Sequence, residues 1–126
     1  MGKNQQDNNS NFLEYIPVRN NEYRWEKDDK DNITIYVENK GMFNRIAQKL
    51  FKRPEVSRIH LQGIGNYVWQ IIDGNMNVYE LGVKVKEHYG DEAEPLYERL
   101  SKYMRMLEEY GFIVMLKDSE KSDQSI

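Results

Sequence analysis

Three helical segments follow one another between Gln62 and Gly111, and a glycine marks the end of each. The first runs into Asp73-Gly74, the second into Gly90 and the third into Gly111. Glycine readily adopts the left-handed conformation that commonly closes a helix, because it has no Cβ to clash. The positions of these glycines therefore predict three short helices in direct succession.

Capping residues mark where two of these helices begin. Asn77 is a favourable N-cap, and Glu80, three residues later, completes a capping-box pattern. Pro95 is tolerated in the first turn of the third helix. We expect Trp69 to be a core residue rather than a platform for stacking. The apolar and aromatic positions that recur at helical spacing are Ile64, Val68, Trp69, Ile71, Ile72, Val78, Leu81, Val85, Leu96, Leu100, Tyr103, Met104 and Leu107.

Two runs before these helices alternate with a period of two residues. Residues 23–26 and 33–37 are rich in aromatic and β-branched side chains, and the segment 27–32 between them is rich in turn-forming residues. This pattern predicts a β-hairpin. Residues 43–51 then show helical spacing up to Pro54, which predicts a short amphipathic helix.

Residues 57–61 alternate between polar and apolar side chains. In a strand, Ile59 and Leu61 would face the core while Arg58 and His60 face outward, because successive side chains point to opposite faces. We expect an edge strand here, with Arg58 as a charge that discourages uncontrolled pairing.

A short apolar run, residues 112–116, predicts a final strand. The order is then an N-terminal hairpin, an edge strand, three helices and a short C-terminal strand, which is an α+β arrangement typical of a winged helix-turn-helix. A chain of 126 residues has room for one domain, which we place at residues 12–116. The polar segments 1–11 and 117–126 are expected to be disordered tails.

Composition excludes several classes of protein. The chain contains no cysteine, which rules out disulfides, thiolate metal sites and thiol catalysis within it and fits a reducing compartment. No run approaches the ~20 apolar residues of a membrane span, and the first residues lack an apolar signal segment. We therefore expect a cytoplasmic protein with no membrane contact. The net charge of −3 argues against a nucleic-acid partner.

The residues that titrate near neutral pH are His60 and His88. Neither belongs to a recognisable catalytic or zinc-binding motif. Gly63 and Gly65 lack the third glycine and the lysine of phosphate-binding loops, so we interpret them as residues that turn the strand into the helix. The sequence thus predicts no catalytic residues, no metal and no cofactor.

A winged-helix DNA-binding regulator is the alternative function, because the last helix of such a unit enters the major groove. In residues 91–111, six acidic side chains outnumber Arg99, Lys102 and Arg105, and this balance would repel phosphates. The three cations lie on neighbouring turns and could still form a narrow basic stripe. Ion pairing along a solvated face, such as Glu98 with Lys102, is the simpler interpretation.

A pattern of residues spread over the helical half carries a family resemblance. It consists of Ile59-His60-Leu61, Gly65, Val68-Trp69, Ile72-Asp73-Gly74, Val78, Glu80-Leu81, Tyr89-Gly90, Leu100, Leu107 and Gly111-Phe112-Ile113. This pattern resembles the PqqD-like family, named after coenzyme PQQ synthesis protein D, over roughly residues 56–116. The segment 16–20 also looks like the opening of longer members. Gln62-Gly63 and the extra segment 43–51 depart from the minimal pattern.

The resemblance implies a non-catalytic recognition element that binds the leader of a ribosomally made precursor peptide. Such a module presents the leader to a radical-SAM or other peptide-modifying enzyme. An exposed edge strand suits this role because an extended peptide can join it as an added strand. A free edge also permits a homodimer.

The resemblance places the peptide between the edge strand and the last long helix. The expected binding residues on the strand are Ser57, Arg58, Ile59, His60 and Leu61. Those expected on the helix are Tyr97, Leu100, Lys102, Met104 and Arg105. Leu100 and Met104 are equally suited to the core, because both recur on the apolar stripe of that helix.

Overall fold

The computed structural model describes residues 12–38 and 56–117. Along the chain lie β1 Ile16–Arg19, β2 Arg24–Lys27, β3 Ile33–Glu38, β4 Val56–His60, α1 Gly65–Ile71, α2 Val78–Tyr89, a 3₁₀ turn Gly90–Ala93, α3 Leu96–Glu109 and β5 Ile113–Leu116. This order confirms the α+β class, with a hairpin, a further strand, three helices and a final strand. The helix predicted over residues 43–51 and the segments 1–11 and 118–126 lie outside the described residues.

The chain divides into two compact units. Among the described residues, the sheet unit comprises residues 21–38 and 56–66, and the helical unit comprises residues 12–20 and 67–117. The boundary falls inside α1, between Asn66 and Tyr67. The single winged-helix domain expected over residues 12–116 stays a prediction.

The sheet unit holds an antiparallel sheet with the strand order β2-β3-β4. Its hairpin is closed by Asp28, whose carboxylate accepts hydrogen bonds from the backbone N–H groups of Asn32 at 2.9 Å and Lys30 at 2.8 Å. These bonds favour the charged form and lower the pKa of Asp28. On the inner face, Ile33 and Ile35 are fully buried. The predicted hairpin is confirmed.

The helical unit is built on the apolar stripes of its helices. Trp69 and Leu81 are completely buried, so the expectation of a core tryptophan is confirmed. The other buried apolar residues of this unit are Ile16, Val68, Ile72, Val78, Val85, Ala93, Leu96, Leu100, Met104, Leu107, Phe112 and Ile113. Burying this much apolar surface is the main force that holds the three helices together.

The first strand is an element that sequence analysis did not predict. β1 pairs antiparallel with β5, in a register that places Ile16 opposite Leu116 and Arg19 opposite Ile113. Both are edge strands, so Pro17 is tolerated despite its missing N–H. Arg19 Nη1 donates to the carbonyl oxygen of Trp69 at 2.9 Å, near the C-terminal end of α1, where a cation also suits the helix dipole. Partial burial lowers the pKa of Arg19, and the Asp73 carboxylate opposes that shift.

The start of α2 confirms the predicted capping box. The Asn77 side chain accepts from the Glu80 N–H at 2.8 Å, and the Glu80 carboxylate accepts from the Asn77 N–H at 2.9 Å. We expect Asn77→Ala to lower the free energy of unfolding by about 1 kcal/mol, because a helix N–H loses its acceptor. Urea denaturation measures this. Asn77→Ser should stay within a few tenths of a kcal/mol of the parent. Equal stability of Asn77→Ala and the parent would show that the cap contributes nothing.

Candidate functional site

The strand β4 lies at the edge of the three-stranded sheet, with β3 as its neighbour among the described strands. The Leu61 N–H donates to the Ile33 carbonyl at 3.0 Å, and these two residues are directly opposite each other. Antiparallel pairs alternate between bonded and non-bonded positions. Ile59 and Ser57 therefore also direct their backbone groups toward β3. Arg58 and His60 direct theirs the other way, toward the outer edge.

The side chains of Arg58 and His60 are exposed, as the alternation of the sequence predicts. Ile59 on the opposite face is half-buried, and Leu61 just beyond the strand is buried. Of the five strand residues expected to bind peptide, Arg58 and His60 thus present both backbone and side chain outward. Ser57, Ile59 and Leu61 hold β4 against β3.

On the exposed face of the sheet, Arg24, Tyr36 and Arg58 form one cross-strand row, which we call the arginine–tyrosine row. The Arg24 guanidinium carbon is 3.9 Å from the Tyr36 ring centroid, and that of Arg58 is 5.9 Å away on the other side of the row. Sequence reasoning missed Arg24 and Tyr36. Period-two alternation places them on one face, but only the hairpin register shows that they are neighbours.

A second row on this face joins Glu26, Thr34 and His60. The Thr34 hydroxyl is 3.0 Å from Nδ1 of His60. When Thr34 donates to Nδ1, the neutral imidazole carries its proton on Nε2, which is then a hydrogen-bond donor. Glu26 is engaged by Arg24 at 2.7 Å. At the β4 end, each row is therefore held by a side chain that can donate hydrogen bonds, Arg58 in one row and His60 in the other.

The five residues expected to bind peptide on the last helix separate into two groups in α3. Leu100 and Met104 are 1% and 0% exposed, so their side chains are core residues and offer no surface to a peptide. Tyr97, Lys102 and Arg105 instead line a surface cleft of about 350 Å³ in the helical unit. Leu13, Glu98 and Ser101 complete its lining.

Tyr97 is held in place by α2. Its hydroxyl donates to the Tyr79 carbonyl at 3.2 Å, and the two rings stack with centroids 5.9 Å apart. The ring also covers Gly82, where an added Cβ would lie 2.7 Å from Cζ of Tyr97. Glycine therefore allows the ring to approach the helix closely. Partial burial raises the pKa of Tyr97.

The three cations of α3 each have a partner within the helical unit. Arg99 donates to the carbonyl oxygens of Glu92 and Ala93 at 3.0 and 3.2 Å. Lys102 lies 4.0 Å from the Glu98 carboxylate, which confirms the predicted pair, and the Arg105 guanidinium lies over the Phe12 ring at 5.1 Å. These contacts engage all three cations within the described part of the chain, which argues against a phosphate-binding stripe and against the DNA-binding alternative.

The two histidines lie in different surroundings. His88 is in the last turn of α2, and its ring stacks on that of Tyr67 with the centroids 4.2 Å apart. Within residues 12–38 and 56–117, no group of three or more histidine or carboxylate side chains is arranged to hold a metal ion. In the same ranges, no helix has the length and apolar character needed to cross a membrane.

The fold and this edge define a small α+β protein whose outer strand has backbone groups directed away from its sheet. Residues 53–113 match the model of the family described as coenzyme PQQ synthesis protein D (PqqD), and this match supports assigning the segment to a PqqD-like family. The resemblance drawn from the sequence is thereby confirmed. Neither the curated proteins nor the solved structures contain a match to this chain.

Proposed function

We propose that this protein is a non-catalytic peptide-binding module. It binds the leader of a ribosomally made precursor peptide by strand addition at β4 and presents it to a peptide-modifying enzyme of the radical-SAM type. The match to a family named for coenzyme PQQ synthesis supports a role in peptide-derived cofactor or natural-product synthesis. The cleft on α3 that Tyr97, Lys102 and Arg105 line offers a second surface for the same partners.

The observation that carries this proposal is the direction of the backbone groups in β4. Arg58 and His60 each direct one N–H and one C=O outward, and no described residue forms a hydrogen bond with them there. An unpaired strand edge is a template for another extended chain. A peptide that pairs with it gains directional bonds along its backbone, while its side chains decide which peptide is accepted.

The free energy of adding a peptide strand to β4 is sufficient for micromolar binding. The four backbone groups contribute ~0.5–1.5 kcal/mol each, or about 2–6 kcal/mol in total. One or two buried aliphatic side chains add ~1.5–3 kcal/mol each. Association and ordering costs offset part of this gain, which places the dissociation constant in the micromolar range or somewhat below.

The test is a titration of the ¹⁵N-labelled protein with the leader of a short precursor encoded beside its gene. We expect the amide signals of Arg58 and His60 to shift most and to become protected from hydrogen exchange, because their N–H groups gain acceptors. Perturbations that leave residues 56–60 unchanged would contradict strand addition. Raising the salt concentration should weaken this binding far less than it weakens a protein–DNA complex.

A further inference from the structure

The side chains of β4 on the exposed sheet face are Val56, Arg58 and His60. We call these three side chains the outer column. The acidic residues on the same face lie on other strands, Glu26 on β2 and Glu38 on β3. Within the described part of the chain, Arg58 has no carboxylate within ion-pair distance, whereas Arg24 in the same row is paired with Glu26. The outer column therefore carries a positive charge that the sheet itself does not neutralise.

A strand added to β4 brings its own side chains into register with this column. Residues directly opposite each other in an antiparallel pair have Cβ atoms about 4.5–5.5 Å apart. Because Arg58 and His60 direct their backbone groups outward, each pairs with one residue of the incoming strand. Those two residues are two positions apart in the peptide, and both side chains lie on the exposed face.

We propose that the peptide accepted at β4 carries acidic side chains at two alternate positions, one opposite Arg58 and one opposite His60. This inference rests on the proposed function, since it specifies which peptides the edge selects. The residue between the two acids faces the other side of the sheet, beside half-buried Ile59, where an apolar side chain fits. The accepted segment is thus acidic, apolar, acidic.

Charge complementarity favours an acid over other side chains opposite Arg58. A guanidinium and a carboxylate form hydrogen bonds in a matching planar geometry, whereas a lysine or arginine at that position would place like charges opposite each other. The Tyr36 ring already occupies the inner side of Arg58 in the arginine–tyrosine row. The outer side of the guanidinium is the side that an incoming strand meets.

Arg24 provides a matched control for this interaction. It is exposed, lies in the same row and carries the same charge as Arg58, but it is on β2, two strands away from β4. With strands about 4.8 Å apart, an incoming side chain lies one spacing from Arg58 and roughly 14 Å from Arg24. At physiological ionic strength a separation beyond about 8 Å is largely screened. Arg24→Gln therefore removes one positive charge from the sheet but keeps the pair between Arg58 and the acidic side chain of the peptide.

The experiment is a selection of random nine-residue peptides against the full chain, its Arg58→Gln variant and its Arg24→Gln variant. We expect the parent and Arg24→Gln to enrich peptides with acids two positions apart, and Arg58→Gln to lose the acid at one of these positions. For one enriched peptide, exchanging the acid opposite Arg58 for its amide should weaken binding to the parent about fivefold. The same exchange should leave binding to Arg58→Gln unchanged.

Three outcomes would overturn parts of this scheme, and they can be told apart. If the selected peptides shift the Arg58 and His60 amide signals but show no acid preference, the charge pattern is wrong and strand addition stands. If Arg24→Gln loses the preference for acids as fully as Arg58→Gln, the overall charge of the protein selects the peptide. Direct pairing with Arg58 then does not select it, and the inference is wrong. If no peptide is selected, or the selected peptides leave residues 56–60 unperturbed, the proposed function itself fails.

Discussion

We expect Arg58→Pro to weaken peptide addition at β4 at least about tenfold. The substitution removes the outward N–H that would donate to the incoming strand, and the proline ring occupies the space where the partner carbonyl must lie. A tenfold loss corresponds to about 1.4 kcal/mol, which is the size expected for one lost backbone hydrogen bond. Isothermal titration calorimetry with a bound leader peptide measures this loss.

Two further variants separate the backbone effect from the side-chain effect. Arg58→Ala keeps the N–H and removes only the guanidinium, so it should bind more tightly than Arg58→Pro. Proline is tolerated on an edge strand where its nitrogen faces outward, so Arg58→Pro should retain the circular dichroism spectrum of the parent. Ile59→Pro should instead disrupt the sheet, because the Ile59 N–H faces β3. Equal affinities of Arg58→Pro and Arg58→Ala would contradict strand addition.

We expect Trp69→Ala to lower the free energy of unfolding by about 3–5 kcal/mol. The side chain is 0% exposed, so its removal leaves a large cavity in the core of the helical unit. A loss of this size is a large part of the ~5–15 kcal/mol that stabilises a small domain. Urea denaturation followed by far-ultraviolet circular dichroism measures it, and Trp69→Phe should cost clearly less because the ring still fills most of the space.

The second tryptophan provides the contrast. Trp25 lies on β2 in the sheet unit and is only half-buried, so Trp25→Ala should cost less than Trp69→Ala. The Trp25→Phe variant leaves Trp69 as the single tryptophan, and its fluorescence then reports unfolding of the helical unit. A loss below about 1 kcal/mol for Trp69→Ala would show that the core does not depend on this ring.

Sequence reasoning succeeded where the signal is local. The alternation of residues 57–61 placed Arg58 and His60 outward, and the Asn77–Glu80 spacing predicted the start of α2. Both patterns depend only on residues that are close together in the sequence, so they can be recognised directly from it. The glycine predictions also held in part: Gly90 caps α2 with φ of 64°, whereas Gly74, with φ of 79°, lies three residues beyond the end of α1.

The features that the sequence did not reveal depend on distant partners. β1 contains a proline and is four residues long, and its partner β5 lies at the other end of the described chain. The arginine–tyrosine row needs a register that the hairpin loop sets. Leu100 and Met104 fit either a core or a groove by spacing, and only their burial distinguishes the two roles. Long-range pairing and burial are properties of the folded chain as a whole.

The pairing of β1 with β5 brings Ile16 and Leu116, which are one hundred positions apart in the sequence, directly opposite each other in a two-stranded sheet. Removing either strand would leave the backbone groups of the other without partners. A version of this module shortened for fusion to an enzyme must therefore keep both strands.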